Sequence, residues 1–444
     1  MAQRYRIIFQ SYDDNKPSKI TSEKPLLEDA LTVPTNCFDF SMPMEKQIAL
    51  LQAAQDCVID KKMNILQDSH EECPKCNQKL HKFGFHTSTF YDVFTDHELE
   101  IKRIKCYSCG YEVPSTVRTI LKTNQSADLK RIQASLGATL PYRESEKILD
   151  LFSMDTRKIN NHDRIKHVTE SVGKVVSKIN EAEKKIAVID EAKELILNVD
   201  GGHIKTTDKK KRSMEAMTSV IYRPEALLSN PKGTRNYLSS KNCSASVKDD
   251  NQQEIISGTI VAALKQGLSK NTHITALCDG AANCWNVVEA VTPLCGNMTY
   301  ILDWFHLAMK LENISLPKKL KDKLMRIKWH LWRGNIENAQ KRLQQLIEAA
   351  SQEKHIERIK KFMNYITNNC DKIINYKERK KAGLIFTSNL AESTVESLIN
   401  RRCKGHQHMR WSREGLNPIL QLRAAINSKG DWTSKWKTAV INTI

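Results

Sequence analysis

The sequence predicts a mixed α/β protein: a three-layer body of sheet and helices in the C-terminal half, preceded by two small modules. Three observations carry this. Two short apolar runs, 195–199 and 274–278, end in Asp200-Gly201-Gly202 and Asp279-Gly280, and read as buried strands that reach a sheet edge. Helical patterns alternate with further strands after about residue 250, as layered α/β sheets require. Ahead of them stand two Cys-x-x-C pairs, Cys73/Cys76 and Cys106/Cys109, separated by short alternating stretches.

The totals bound the class. At 444 residues the chain holds two or three domains with a full core. Lys and Arg number 69 against 51 acids, a net charge of +18 that favours a polyanionic partner, nucleic acid first. No run approaches the ~18 apolar residues of a membrane span, and the first fifteen residues lack the apolar segment of a secretory signal. A soluble, cytoplasmic, nucleoid-associated protein is expected. Its twelve cysteines are then reduced thiols and metal ligands rather than disulfides.

Residues 1–70 contain one expected helix, 44–66, with Ile48, Leu50, Leu51, Ala54 and Val58 on a helical period, for packing or dimerisation. Residues 71–120 read as a zinc ribbon: two knuckles at the ends of a small antiparallel sheet, their four thiolates closing a tetrahedral structural Zn²⁺ site. His81 and His86 lie between the knuckles and are not needed as ligands. Residues 121–194 read as short helices: 128–136 ended by Gly137, 144–152, then 156–172 carrying Arg157, Lys158, Asn160, Asn161, His162, Arg164, Lys166 and His167. A basic third helix after a short turn suits a helix-turn-helix reader of the major groove; a solvated linker helix is the plainer reading. Residues 170–194 continue as a charged tether to the C-terminal body, 195–444.

In that body, strands are expected at 195–200, 214–222, 243–247, 274–278 and 298–302, with a helix at 251–267. An all-α insertion follows, about 307–385. A helix at 391–399 carries Glu392 and runs into Arg401-Arg402. Carboxylates converging from Asp200, Asp279 and Glu392 would repel one another unless divalent cations neutralised them, which is the logic of a two-metal phosphoryl-transfer site.

The ordered set resembles the DDE transposases of bacterial insertion sequences, in particular the group with an N-terminal zinc ribbon. The likeness rests on Asn198-Val199-Asp200-Gly201-Gly202, on Asp279-Gly280-Ala281-Ala282-Asn283-Cys284-Trp285 with Asp303-Trp304-Phe305-His306, and on a C-terminal block. That block comprises Ala391-Glu392-Ser393, Arg401-Arg402-Cys403-Lys404-Gly405, Met409-Arg410-Trp411-Ser412-Arg413-Glu414-Gly415 and Leu420-Gln421-Leu422-Arg423. The resemblance implies an RNase H-like fold and cleavage and joining of DNA strands with Mg²⁺ or Mn²⁺. It makes Asp200, Asp279 and Glu392 the three acids. Glu396, one helical turn on, is the rival for the third place. Asp303 and His306 match a D-x-x-H element: they contact the DNA end, support the metal ligands, or stabilise the insertion.

Phosphate contacts are expected from Arg157, Lys158, Arg401, Arg402, Lys404, Arg410 and Arg413. Trp411 either stacks on an exposed base or packs in the core. The expected partner is double-stranded DNA, transposon ends and target, engaged by a homo-oligomer. Competing readings are a catalytically dead zinc-ribbon and helix-turn-helix regulator, and an RNase H-like nuclease or resolvase that cuts without joining.

Overall fold

The computed structural model describes residues 3–14, 16–37, 39–67, 72–153, 156–183, 188, 190–232, 236–247, 251–388, 393–394, 396–405 and 409–437. They fall into two compact units, Met1–Val168 and Thr169–Thr443, divided inside a helix.

The first unit opens with an antiparallel hairpin, β1 (Gln3–Asp13) and β2 (Lys16–Leu31), in a stretch where the sequence suggested no strand. Helix α1 (Met44–Gln67) follows. Hairpin β3 (His81–Tyr91) and β4 (Asp96–Lys105) lies between the cysteine pairs. On β4 every second residue is buried, so Leu99 and Ile101 meet Met63 of α1 and Val117 of α2 (Thr116–Leu121). The 44–66 helix thus packs on the hairpin.

Helices α3 (Ala127–Thr139) and α4 (Tyr142–Ser153) come next. Ser126 caps α3 by accepting from the Leu129 N–H at 3.2 Å. Gly137 does not end α3: it is buried within it, and the helix stops where Leu140, extended, precedes Pro141. The third helix, α5 (His162–Ala182), starts later than expected, because Lys158–Asn160 forms a separate 3-10 turn.

The second unit is built on a five-stranded sheet. Its strands are β5 (Glu194–Lys205), β6 (Ser213–Tyr222), β9 (Asn242–Ser246), β10 (His273–Cys278) and β11 (Asn297–Leu302); a minor hairpin, β7 (Leu227–Ser229) and β8 (Asn236–Leu238), interrupts the run. The spatial order is β11-β10-β5-β6-β9, with β5, β10 and β11 parallel and β6 antiparallel to both its neighbours.

Helices cover both faces. On one, Leu195, Leu197, Val199, Ile274 and Ala276 pack with residues of α6 (Gln253–Lys265) and α7 (Ala282–Val291). On the other, Ile196, Ile204, Leu277 and Ile301 join the expected helical insertion, α8 (Trp304–Glu312), α9 (Lys318–Trp332), α10 (Ile336–Glu348), α11 (Glu353–Asn368) and α12 (Tyr376–Lys381). The same face receives a π-helical turn, Glu396–Asn400, and α13 (Arg413–Asn427). A last short helix, α14, spans Asp431–Lys435. No helix among the described residues is long and apolar enough to cross a membrane.

Candidate functional site

Register brings the aspartates together. Strand β10 pairs with β5 up to Cys278↔Val199, and β11 with β10 up to Cys278↔Leu302. The next residue on each strand is Asp279, Asp200 and Asp303, so three carboxylates stand side by side where the two parallel pairings end. Neighbouring strands run ~4.8 Å apart. Alternation puts all three on the insertion face, because Ile196, Leu277 and Ile301, at even steps from them, belong to that core.

Asp200 is not the end of its strand, as the Gly201-Gly202 step suggested. It loses its parallel neighbour there, but β5 continues to Lys205 against β6, with Asp200↔Thr218 and Gly202↔Ala216. The glycines serve close approach instead. A Cβ on Gly201 would stand 2.9 Å from Glu215 Oε1, and one on Gly202 would stand 3.5 Å from both Ile399 Cδ1 and Lys404 Nζ. The basic C-terminal segment therefore lies against the strand two residues beyond Asp200. The Asp200 carboxylate accepts the Gly201 N–H at 2.8 Å.

Asp279 does end its strand. Gly280 takes φ +88°, a conformation other residues avoid, and the Asp279 carboxylate accepts the Ala281 N–H at 2.9 Å. The insertion fixes this corner: Tyr365 of α11 donates its hydroxyl to the Asp279 carbonyl at 2.7 Å, and Asn369 donates to the Gly280 carbonyl at 3.4 Å. Sequence reasoning missed Tyr365, since nothing in its surroundings marks it.

Asp303 is fully buried and consumed by the protein. It caps α8 through the His306 N–H (3.2 Å), pairs with His306 Nδ1 (2.7 Å), and accepts from the Ser388 N–H (2.7 Å) and hydroxyl (2.8 Å). Of the roles open to the D-x-x-H element, the one these contacts describe is anchoring the insertion.

The electrostatics mark one shared site. Burial holds the Asp200 carboxyl above its usual range, and the negative charges of Asp279 and Asp303 add to the effect against the opposing charge of His306. His306 is itself held above its usual value: burial works against its charged form, but the hydrogen bond to Asp303 and the charges of Asp303, Asp200 and Asp279 win. Asp303 is held low by His306 and Ser388 in spite of its burial. An uncompensated acid pair beside a buried strand edge suits a hard divalent cation.

Glu392, the expected third acid, lies outside the described residues, as does Val395. Its flanks are described. Ser388 is tied to Asp303, and Arg423 of α13 donates to the carbonyls of Ser397 and Leu398 (2.7 Å for the latter), holding the turn that begins at Glu396.

The expected DNA contacts divide. Lys158, Arg401, Lys404 and Arg410 are exposed, and Arg413 is half-buried. Arg157 points inward: 8% exposed, it donates to Asp96 and to the carbonyls of Val93, Asp92 and Thr95, so its guanidinium serves the fold of the first unit. Arg402 is 2% exposed, with its guanidinium 5.0 Å from the Trp411 ring centre. Trp411 packs against the core; its indole donates to the Cys403 carbonyl (3.2 Å), and its backbone exchanges hydrogen bonds with Lys205 and Thr207, both 3.0 Å. These three are structural here, for the same reason: their polar groups or faces are already engaged.

In the first unit, Cys73, Cys76, Cys106 and Cys109 bring their sulfurs within 4.8 Å of one another; among the described residues no other group of three or more His, Cys, Asp or Glu does so. The two turns are built alike. The N–H groups of Asn77 (φ +58°) and Gly110 (φ +71°) donate to the carbonyls of Cys73 and Cys106, at 2.9 and 3.0 Å. The Cys109 backbone N–H pulls the Cys106 thiol down to about 6. Cys76, despite the Gln78 N–H, is pushed up to about 12 by its hydrogen bonds to Cys106 and the other thiols. Four soft sulfur donors this close together are a set a metal ion could bind.

Residues 126–438, well over half of the chain, match the family described as "Uncharacterised protein family (UPF0236)", and the chain belongs to that family. Among the similar curated proteins are several UPF0236 proteins of Caldanaerobacter subterraneus subsp. tengcongensis. One is 32% identical over 133 residues, covering 30% of this chain and 27% of its own length. Another matches with the same identity and coverage under a name that joins four numbered designations, and a third under a name that joins eleven. The match thus spans about a quarter of these relatives' length.

Proposed function

We propose that this UPF0236 protein is a DNA transposase that cuts at the ends of a mobile element and joins them to a target. The observation that carries the reading is the register-matched pair Asp200 and Asp279, with the Lys404 segment lying beside Gly202 on the same face. Acid, acid and a basic strand-binding segment are the parts a phosphodiester-transfer site needs.

The strand order also supports it. Numbered along the sheet-forming chain, the strands run 5-4-1-2-3 with the second antiparallel, an order in keeping with the proposed RNase H-like fold. A family relative whose name joins eleven designations in one organism fits a sequence present in many copies, as a mobile element would be.

Asp200, Asp279 and Glu392 would hold Mg²⁺ or Mn²⁺ through hard oxygen donors. Bound there, such ions supply an activated water or 3′-hydroxyl and stabilise the leaving 3′ oxygen. The chain's own residues do the rest. Tyr365 and Gly280 set the Asp279 backbone, Asp303 and Arg423 tie down the two flanks of Glu392, and Arg401, Lys404 and Arg410 offer charge to phosphates. The four cysteines would hold structural Zn²⁺ as a zinc ribbon, and α3 to α5 would present the helix-turn-helix surface, with Lys158 among its contacts. Double-stranded DNA is the substrate, a homo-oligomer the acting form and the nucleoid the place.

The test is a cleavage and strand-transfer assay with Mg²⁺ on DNA carrying the element's own ends. Asp200→Ala and Asp279→Ala should each abolish cleavage while leaving DNA affinity within about twofold of wild type, since neither aspartate supplies phosphate-binding charge. Undiminished cleavage by either variant sinks the site; cleavage without joined product points to a nuclease or resolvase instead.

A further inference from the structure

The β3–β4 hairpin carries a second site that neither the carboxylates nor the cysteines explain. Beside it lies a cavity of about 520 Å³, lined among others by Phe83, Phe85, Lys102, Arg103, Arg118 and one acid, Glu112, which stands 3.9 Å from Arg103. Two aromatic rings open to a cavity on a hairpin are unusual, because apolar rings of a small unit belong in its core. Phe85 is 48% exposed.

The backbone is shaped to produce this. Lys82 pairs with Ile104 and Gly84 with Arg103, which leaves Phe83 as an extra, bulged residue. Gly84 takes φ +137°, although a Cβ there would meet nothing within 4 Å. The glycine is needed for its conformation alone, and the bulge re-aims Phe83. Each ring has cations against it: the Lys82 ammonium stands 3.5 Å from the Phe85 centre, and Arg103 and Lys105 stand 4.3 and 6.0 Å from that of Phe83.

We propose that this hairpin cavity binds unpaired DNA nucleotides, one or two bases stacking on Phe83 and Phe85 while Lys82, Lys102, Arg103 and Arg118 neutralise the flanking phosphates. Charge alone would suit a duplex equally, but a duplex hides its base faces, and exposed rings gain nothing from it. An unpaired base offers a π-face to each ring and a phosphate to each cation. The volume lies within the roughly 300–1,000 Å³ of small-ligand sites, room for a nucleotide or two. Unpaired nucleotides arise where a DNA end is cut or frayed. The choice of DNA over other single strands therefore rests on the transposase reading; the stacking does not.

The experiment is fluorescence anisotropy with the full, metal-loaded chain at fixed salt and no added Mg²⁺. The probes are a labelled oligothymidylate of about 12 nucleotides, within the usual site sizes, and a blunt duplex of similar length. Phe85→Ala should weaken oligothymidylate binding about tenfold, the loss expected for one stacked base, and Phe85→Leu should weaken it nearly as much because bulk without a π-face does not stack. Duplex affinity should change less than about twofold in both. Retained zinc and an unchanged circular dichroism spectrum show that the variants fold. Unchanged oligothymidylate binding in both variants, or equal loss on the two probes, overturns the proposal. Asp200→Ala should bind oligothymidylate like wild type, so failure of the catalytic reading and failure of this site register separately.

Discussion

Asp303 stands beside Asp200 and Asp279, yet its oxygens are spent on the protein. Its two oxygens accept four hydrogen bonds, two from His306 and two from Ser388, four residues before Glu392. Asp303→Ala leaves those donors unmet in a buried place and should cost about 2–4 kcal/mol, read from urea unfolding. On the proposed function it should also slow Mg²⁺-dependent cleavage more than DNA binding, because Ser388, the last described residue before Glu392, loses its anchor. The pH dependence follows from the signs. His306 has a folded value raised above its ordinary 6.5, so its contribution is complete below that and fades as pH rises through the raised value. Asp303 has a folded value below its ordinary 3.8, so its contribution is complete above that and fades as pH falls through the lowered one. The stability gap between wild type and His306→Gln should therefore be widest at pH values between the ordinary 3.8 of Asp303 and 6.5 of His306, and shrink as pH rises through the raised value of His306. A gap that grows with pH would reverse the assignment of charge.

At the scale of elements, the two Asp-Gly steps look alike in sequence and act differently. Gly280 makes the turn the sequence announced, and a Cβ on it would stand 2.7 Å from Tyr365 Cε2 and 2.8 Å from Leu302 Cδ1. Gly430 also has positive φ, +73°, yet a Cβ there would meet nothing within 4 Å. Gly280→Ala should thus lose about 1–3 kcal/mol from backbone strain plus the clash, and cleavage with it, whereas Gly430→Ala should show the strain alone and keep activity. Thermal unfolding beside the cleavage assay separates the two.

The same contrast explains what the sequence could tell. Buried parallel strands are near-continuous apolar runs, so β5, β10 and β11 and the acids that follow those runs were legible. That β5 continues past Gly201-Gly202 was not, since the glycines answer to Lys404 and Glu215, distant in sequence. Hairpin β1–β2 was missed although Tyr5, Ile7 and Phe9 alternate with Arg4, Arg6 and Gln10, because the run is short, Ile8 breaks it, and its apolar side chains are only half-buried. Arg157 and Arg402 read as DNA contacts because charge is visible in a sequence and burial is not.

For the whole molecule, the two units differ in what holds them. The second has layers of apolar residues on both faces of its sheet. Around its β3–β4 hairpin the first has small clusters, Met63, Leu99, Ile101 and Val117 in one, and Cys73, Leu80 and Cys106 in another that includes two of the four clustered thiols; Leu129, Ala134, Ala138, Leu149, Ile159 and Ile165 are buried in the stretch from α3 to α5. Small cores of this kind rarely supply enough burial, and a structural metal commonly makes up the difference. Bound Zn²⁺ in such sites contributes about 10–16 kcal/mol of apparent binding free energy, which far exceeds what these few side chains offer. Cys73→Ser, or a strong chelator, should therefore unfold Met1–Val168 while leaving the melting of Thr169–Thr443 in place. Calorimetry of the full chain should then lose one transition and keep the other, with metal analysis reporting less than one zinc per chain. The variant should retain the Asp200–Asp279 register, so Mg²⁺ would still protect the surviving transition, while oligothymidylate binding through Phe85 disappears. If both transitions fall together, the cysteine cluster supports more than its own unit, and the two halves fold as one.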